Sequence, residues 1–131
     1  MSTHSKLVSL VAAALLSGAA MADVVVIANP GTQVSAADVA DIFLGEKQFA
    51  GSLKLVPVDN GPQQEAFLSK VLKLDGGKYN SKWAKKSFRE GLNPPAVKSG
   101  DLEVAEYVKR TPGAVGYVAS APAGVTVVQK Y

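Results

Sequence analysis

Cysteine is absent from the 131-residue sequence, and histidine occurs once, as His4. Without cysteine, an exported chain of this size must rely on a hydrophobic core rather than on disulfide bonds. Because His4 lies in the segment predicted below to be removed, the mature chain offers neither Ser-His-Asp nor Cys-His catalysis and no usual zinc site. No motif of paired carboxylates suggests another catalyst, so the sequence predicts a protein that is not an enzyme and binds no metal or cofactor.

Long apolar runs are also scarce, and the one near the start is short. Residues 7–20 follow the basic Lys6 and lead to an A-x-A ending at Ala22, a pattern that predicts a cleaved signal peptide over residues 1–22. This run is too short and too rich in small residues to span a membrane, and no later run approaches the required length. We therefore predict one mature domain, residues 23–131, without stable membrane insertion. Its predicted location is the periplasm, with release outside the cell as the other possibility.

Charge of one sign is not concentrated in the mature chain. Lys6 is one of 14 basic residues, so 13 remain beside 11 acidic ones, a net charge of +2. This balance predicts no nucleic-acid partner.

Strand and helix patterns alternate along residues 23–131. The predicted strands cover residues 24–29, 53–58, 114–120 and 125–130. The predicted helices run from a Ser35–Asp38 capping box to Gly45, from Pro62 to Asp75-Gly76-Gly77, from Lys78 to Gly91, and from a cap at Ser99 or Asp101 to Pro112-Gly113. This order predicts the fold class α/β, as a three-layer domain in which helices flank a small mixed sheet.

Prolines shape two segments of this scheme. Pro57 cannot donate to a strand ladder, which places its strand at an edge or at the point where pairing stops. Residues 92–101, with two consecutive prolines, are predicted to form a rigid linker.

The predicted helix over residues 78–90 has an aromatic face and a basic face. Tyr79 and Trp83 share the aromatic face, which we expect to enter the core. The basic face has two readings, an ordinary solvated surface or a surface for an acidic partner, a lipid headgroup or a polyanion. Its members, the possible partner surface, are Lys82, Lys85, Lys86 and Arg89.

Four motifs together resemble one lobe of the type II periplasmic binding proteins. They are ADVADIFLGEKQFAG, VPVDNGPQQEAF, W-x₄-F-x-E-G-x-x-PP and RTPGAVGYV, and they cover nearly the whole mature chain. The likeness is to the phosphate-binding components of ABC importers and to their short, single-lobe secreted relatives. It implies a solute-binding-like protein, with phosphate or another small oxyanion as ligand and an ABC importer or envelope protein as partner. A homodimer would face two lobes and rebuild the two-lobed cleft of the longer members.

The resemblance also implies where an anion would be held. Phosphate binders carry Arg-x-Asp-Gly-Ser-Gly-Thr at a strand-to-helix turn, and here Pro57 replaces the arginine while Asp59 keeps the aspartate. Gly61 and Gln63 replace the serine and the threonine. Losing the bidentate arginine and both hydroxyls implies weak or altered oxyanion binding. The implied ligand-binding residues are Asp59, Asn60, Gly61, Gln63 and Gln64.

Two readings of this turn stay open at the level of sequence. Asp59 or Asn60 is equally suited to cap the helix that follows. The favoured function is a secreted, non-enzymatic solute-binding-like protein with weak or altered oxyanion binding. The alternative is an interaction module that keeps the fold, binds no ligand and uses the basic helix over residues 78–90.

Overall fold

Short strands alternate with helices in the computed structural model, which describes residues 23–131. The predicted signal peptide, residues 1–22, lies outside the described residues. The strands are β1 (Val25–Ala28), β2 (Phe49–Ala50), β3 (Leu53–Lys54), β4 (Val56–Asn60), β5 (Ala96–Lys98), β6 (Ala114–Val118) and β7 (Thr126–Lys130). The helices are α1 (a 3₁₀ turn Ala36–Asp38 leading into Val39–Phe43), α2 (a 3₁₀ turn Gly61–Gln63, an α-helical turn Gln64–Phe67 and a π-helical turn Leu68–Leu72), α3 (Gly76–Glu90) and α4 (Asp101–Arg110).

Five of the strands form one mixed sheet in the order β5-β4-β6-β1-β7, and β2 pairs with β3 in a separate hairpin. Strands β5, β4 and β6 run parallel to one another. β1 lies between β6 and β7 and is antiparallel to both. All residues of β1 are buried, as the continuous β-branched run predicts for a strand covered on both faces.

Helices cover both faces of the sheet, which confirms the predicted three-layer α/β fold. On one face Val26 and Tyr117 pack with buried residues of α1, α2 and α3. On the other face Ile27 and Val58 pack with buried residues of α4. Within residues 23–131, no helix combines the length and the apolar character that a membrane crossing requires.

Aromatic rings form the centre of the first layer. The rings of Phe67 and Tyr117 stack with centroids 3.9 Å apart and planes inclined by 3°, and Phe43 packs edge-on to Phe67 at 4.7 Å. Trp83 Nε1 donates to the carbonyl oxygen of Phe43 at 3.0 Å. Buried aromatic rings of this size contribute much of a small core, and the indole N–H needs such a partner.

The residues that cap the helices agree with the prediction at α1 but not at α3. The Ser35 N–H donates to Asp38 Oδ2 at 3.0 Å, which confirms the capping box at α1. The prediction that Asp75 and the glycines after it end α2 is wrong: Asp75 accepts a hydrogen bond from the Lys78 N–H at 2.8 Å and caps α3 instead. A carboxylate at this position satisfies a donor that the first helical turn leaves free.

The proline-rich segments also differ from expectation. The predicted linker over residues 92–101 contains β5, which pairs in parallel with Val58–Asn60. β4 is therefore interior, and the edge placement of Pro57 is wrong. The second alternative holds, because Pro57 pairs only with β6 and the ladder to β5 begins at the next residue.

Candidate functional site

The carboxyl ends of the parallel strands meet at one edge of the sheet, which we call the carboxyl edge. There β4 passes from Asn60 through Gly61 into α2, and β5 passes through Ser99 and Gly100 into α4. In open α/β sheets, ligands bind at this edge, where helix starts present free N–H groups. The structure thus places the predicted Asp59–Gln64 turn where a ligand would be expected.

Asp59 lies beneath this edge rather than on it. Its side chain is 1% exposed, and its two oxygens accept hydrogen bonds from Tyr79 Oη at 2.8 Å and Tyr117 Oη at 2.7 Å. Burial raises the pKa of Asp59, while the hydrogen bonds from Tyr117, Tyr79 and Gln64 act in the opposite direction. Burial beside this carboxyl also raises the pKa of both tyrosines. Both oxygens of Asp59 are engaged by these hydrogen bonds, so the side chain does not cap α2 and acts as a polar anchor of the core.

Asn60 is also turned inward. It is fully buried, and its Nδ2 donates to Asp101 Oδ1 at 2.8 Å and to the carbonyl oxygen of Tyr117 at 2.9 Å. Asp101 Oδ2 accepts the Ala119 N–H at 3.0 Å. Asn60 occupies the N-cap position of α2 without a side-chain capping bond, so the capping reading is wrong for it as well. The Asn60–Asp101 pair instead fastens the start of α4 to the ends of β4 and β6.

The remaining predicted residues form the exposed rim of the edge. Gly61 is exposed, whereas Gln63 and Gln64 are half-buried. The Oε1 of Gln63 is buried without a hydrogen bond, and Pro62 has no N–H to offer. The donors left for an anion are the backbone N–H groups of the first turn of α2, chiefly those of Gly61 and Gln63.

Side chains that end the neighbouring strand are engaged elsewhere. The Nζ of Lys98 lies 4.4 Å from the ring centroid of Tyr107, and Ser99 Oγ donates to Glu103 at 2.9 Å. The carboxylate of Asp101 adds negative charge to the same edge. Such an edge favours an oxyanion only through backbone dipoles, which act within about one helical turn.

Solved structures resemble this fold, although no family model and no curated protein matches the sequence. An ABC-type phosphate transport receptor from Vibrio cholerae aligns with a TM-score of 0.50 and 14% identity, over 82% of this chain and 46% of that one. PstS from Borrelia burgdorferi aligns with a TM-score of 0.51 and 20% identity, over 74% of this chain and 41% of that one. The fold is that of a periplasmic binding protein. This chain spans less than half the length of either structure.

A second surface of this fold is the basic row on α3. Lys82, Lys85 and Arg89 are exposed, and none of them takes part in a salt bridge within the described chain. Lys78, which the sequence reading missed, is exposed on the same helical face, so the four cations recur at intervals of four, three and four residues. We use the name basic row for Lys78, Lys82, Lys85 and Arg89.

Lys86 does not belong to this surface, contrary to the prediction. Its side chain is 14% exposed and forms salt bridges with Glu46 at 3.3 Å and Glu90 at 3.2 Å. It packs over Gly45, where a Cβ would lie 2.8 Å from its Cδ. Lys86 therefore joins α3 to the end of α1.

No cluster that could hold a metal ion is present among residues 23–131. Sequence reasoning missed the partners of the turn, Tyr79, Tyr117 and Asp101. The available signal was the aspartate in an apolar strand, since a buried carboxylate requires hydrogen-bond donors.

Proposed function

We propose that this chain is a secreted, non-enzymatic, solute-binding-like protein of the periplasm that binds a small oxyanion weakly at the start of α2. The observation that carries the proposal is the passage of β4 through exposed Gly61 into α2, at the carboxyl edge of a periplasmic-binding-protein fold. The proposal includes cleavage of residues 1–22 and a partner in the envelope, such as an ABC importer. A homodimer that faced two carboxyl edges would enclose the ligand more fully.

The proposed binding is weak for reasons that the side chains make clear. Each oxygen of Asp59 already accepts a hydrogen bond from a tyrosine, Asp101 adds a carboxylate, and Pro57 occupies the position at which the resemblance implies an arginine. A backbone-only site on one lobe also leaves most of the ligand in water, which screens its charge. We expect a dissociation constant in the millimolar range for phosphate.

Replacing Pro62 tests the location of this site. Pro62→Ala restores a backbone N–H to the exposed first turn, and we expect it to tighten phosphate binding by about threefold to tenfold, the value of one added hydrogen bond. Pro62→Asp restores the same N–H but adds a carboxylate, and we expect it to bind more weakly than Pro62→Ala. Isothermal titration with phosphate, sulfate and methylphosphonate measures both effects.

The two variants are controls for each other, because Pro62 is exposed and both replacements suit a first helical turn. Equal phosphate affinities for the two variants and the wild type would show that phosphate does not bind at the start of α2. The absence of any binding heat up to about 10 mM anion, a free energy near −3 kcal/mol, would end the oxyanion proposal.

A second function is favoured by the basic row. Its four cations are exposed along one face of the 15-residue helix α3, and Phe88 beside them is 92% exposed. A large exposed aromatic next to unpaired cations is typical of an interaction surface. We propose as the alternative a module that docks, without a ligand, on an acidic surface of an envelope protein.

Charge reversal tests this alternative. Wild-type protein is expected to bind an immobilised glutamate-rich polypeptide at low salt, and Lys82→Glu with Lys85→Glu to abolish that binding, because two attractions become repulsions. The matched control is Lys73→Glu with Lys109→Glu, which makes the same charge change outside α3 and should leave retention nearly unchanged. Loss of retention in both variants would show only a net-charge effect. Retention on phosphatidylglycerol vesicles but not on the polypeptide would favour a lipid surface instead.

A further inference from the structure

A gap in the sheet lies beside the first residues of β4, at the opposite end of that strand from the carboxyl edge. β5 pairs with β4 only from Val58 onward, so no strand of the described chain pairs with Val56 or Pro57 on that side. Pro57 has no N–H, and the gap therefore leaves no unpaired donor at its position. Residues 92–95, which precede β5, are not part of a strand and line the space beside β4.

The gap opens into a cavity of about 390 Å³. Trp83 of α3 and Tyr107 of α4 both line it, so the two helical layers each contribute an aromatic residue to its wall. Leu55, Val58, Leu92 and Pro95 supply further apolar wall. A volume above about 300 Å³, a mostly apolar lining and a few polar groups are the usual features of a small-molecule site.

The charged groups of this cavity are all positive. Lys47 and Lys54 line it, no acidic residue does, and neither lysine forms a salt bridge within residues 23–131. Trp83 Nε1 is already bonded to Phe43, so the indole offers its ring surface rather than its donor. The lining thus combines an apolar chamber with two lysines, and this combination suits a ligand with an apolar body and an anionic group.

We propose that this cavity binds a small apolar carboxylate, with its hydrocarbon part between Trp83 and Tyr107 and its carboxylate toward Lys47 and Lys54. The site is separate from the start of α2 and does not depend on oxyanion binding there. The walls are in place before binding, because consecutive prolines fix the segment over residues 92–95 and Trp83 is held by its hydrogen bond.

Octanoate is the probe that tests this site. Trp83 is the only tryptophan of the sequence, so a fluorescence change reports on this cavity, while isothermal titration gives the affinity. We expect saturable octanoate binding below about 1 mM with a change in Trp83 emission. Octanol, which lacks the charge, and acetate, which lacks the apolar body, should bind more weakly.

Lysine variants test the anionic end of the site. Lys47→Gln with Lys54→Gln is expected to weaken octanoate binding by at least about fivefold, the loss of two exposed charge interactions, and to leave octanol binding unchanged. Lys82→Gln with Lys85→Gln makes the same charge change on the basic row and should have no effect. Equal affinity for octanoate and octanol, no loss in the first variant, or binding heat without any change in Trp83 fluorescence would overturn the proposal. Phosphate titration is independent of all these outcomes, so the two sites can fail separately.

Discussion

Gly113→Ala is expected to lower the free energy of unfolding by about 3 kcal/mol or more, through a steric clash and a strained backbone together. Gly113 has φ +84°, and a Cβ at this position would fall on the backbone carbonyl of Lys54. The segments that contain Lys54 and Gly113 cannot easily separate. The Gly113 carbonyl accepts the Val56 N–H at 2.8 Å, and the Gly113 N–H donates to Thr32 Oγ1 at 3.1 Å. Urea unfolding followed by circular dichroism measures the loss.

Gly91→Ala is the matched control for this prediction. Gly91 has φ +70°, and apart from its chain neighbours no atom of residues 23–131 lies within 4 Å of the position of a Cβ, so the change adds strain without a clash. We expect a cost of about 1 kcal/mol for the strain alone. Equal losses in the two variants would contradict the close approach of Gly113 to Lys54.

Tyr117→Phe is expected to destabilise the fold by about 1.5–3 kcal/mol at neutral pH, since it removes a hydrogen bond to the buried carboxyl group of Asp59. The ring remains stacked on Phe67, so packing changes little. Tyr107→Phe serves as the control, because no hydrogen bond involves the Tyr107 hydroxyl within the described residues, and it should cost less than about 0.5 kcal/mol.

The effect of Tyr117→Phe should depend on pH with a definite sign. Burial raises the pKa of Asp59, so the unfolded chain holds fewer protons than the folded one between the two pKa values. The stability contributed by this group is therefore full below the unfolded pKa and is lost as pH rises through the folded pKa. Removing the Tyr117 hydroxyl raises the folded-state pKa of Asp59 further. The difference in free energy of unfolding between wild type and variant should therefore increase from acid toward neutral pH. A gap that stays constant across this range would mean that the hydroxyl does not stabilise the carboxylate.

The sequence was sufficient for features with local causes. The β-branched run at β1 and the Ser35–Asp38 capping box depend on residues close to one another, and the structure confirms both. β5 was missed because the two consecutive prolines just before it, Pro94 and Pro95, suggest a linker, and only its distant partner, β4, makes it a strand. Its length of three residues leaves no periodic pattern to detect.

In the candidate site, too, the sequence predicted local features but not those set by distant partners. The resemblance pointed to the turn at the end of β4, but the orientation of Asp59 is set by Tyr79 and Tyr117, which lie 20 and 58 residues away in sequence. Lys86 was placed on the basic face by helical spacing alone. Its actual direction depends on Gly45, whose missing side chain leaves room for it, and on Glu46. Contacts between distant segments, which no local pattern encodes, decided each of these residues.

The position of β1 also constrains the order in which the sheet can form during synthesis. β1 is the first strand of the sheet in the chain, yet both of its neighbours, β6 and β7, are the last two. A nascent chain emerging from the ribosome therefore exposes the apolar residues of β1 until β6 and β7 have followed. Closing such distant pairs is slow, since the entropy of the intervening loop is lost before any contact compensates. During that interval β1 is the segment most in need of a chaperone.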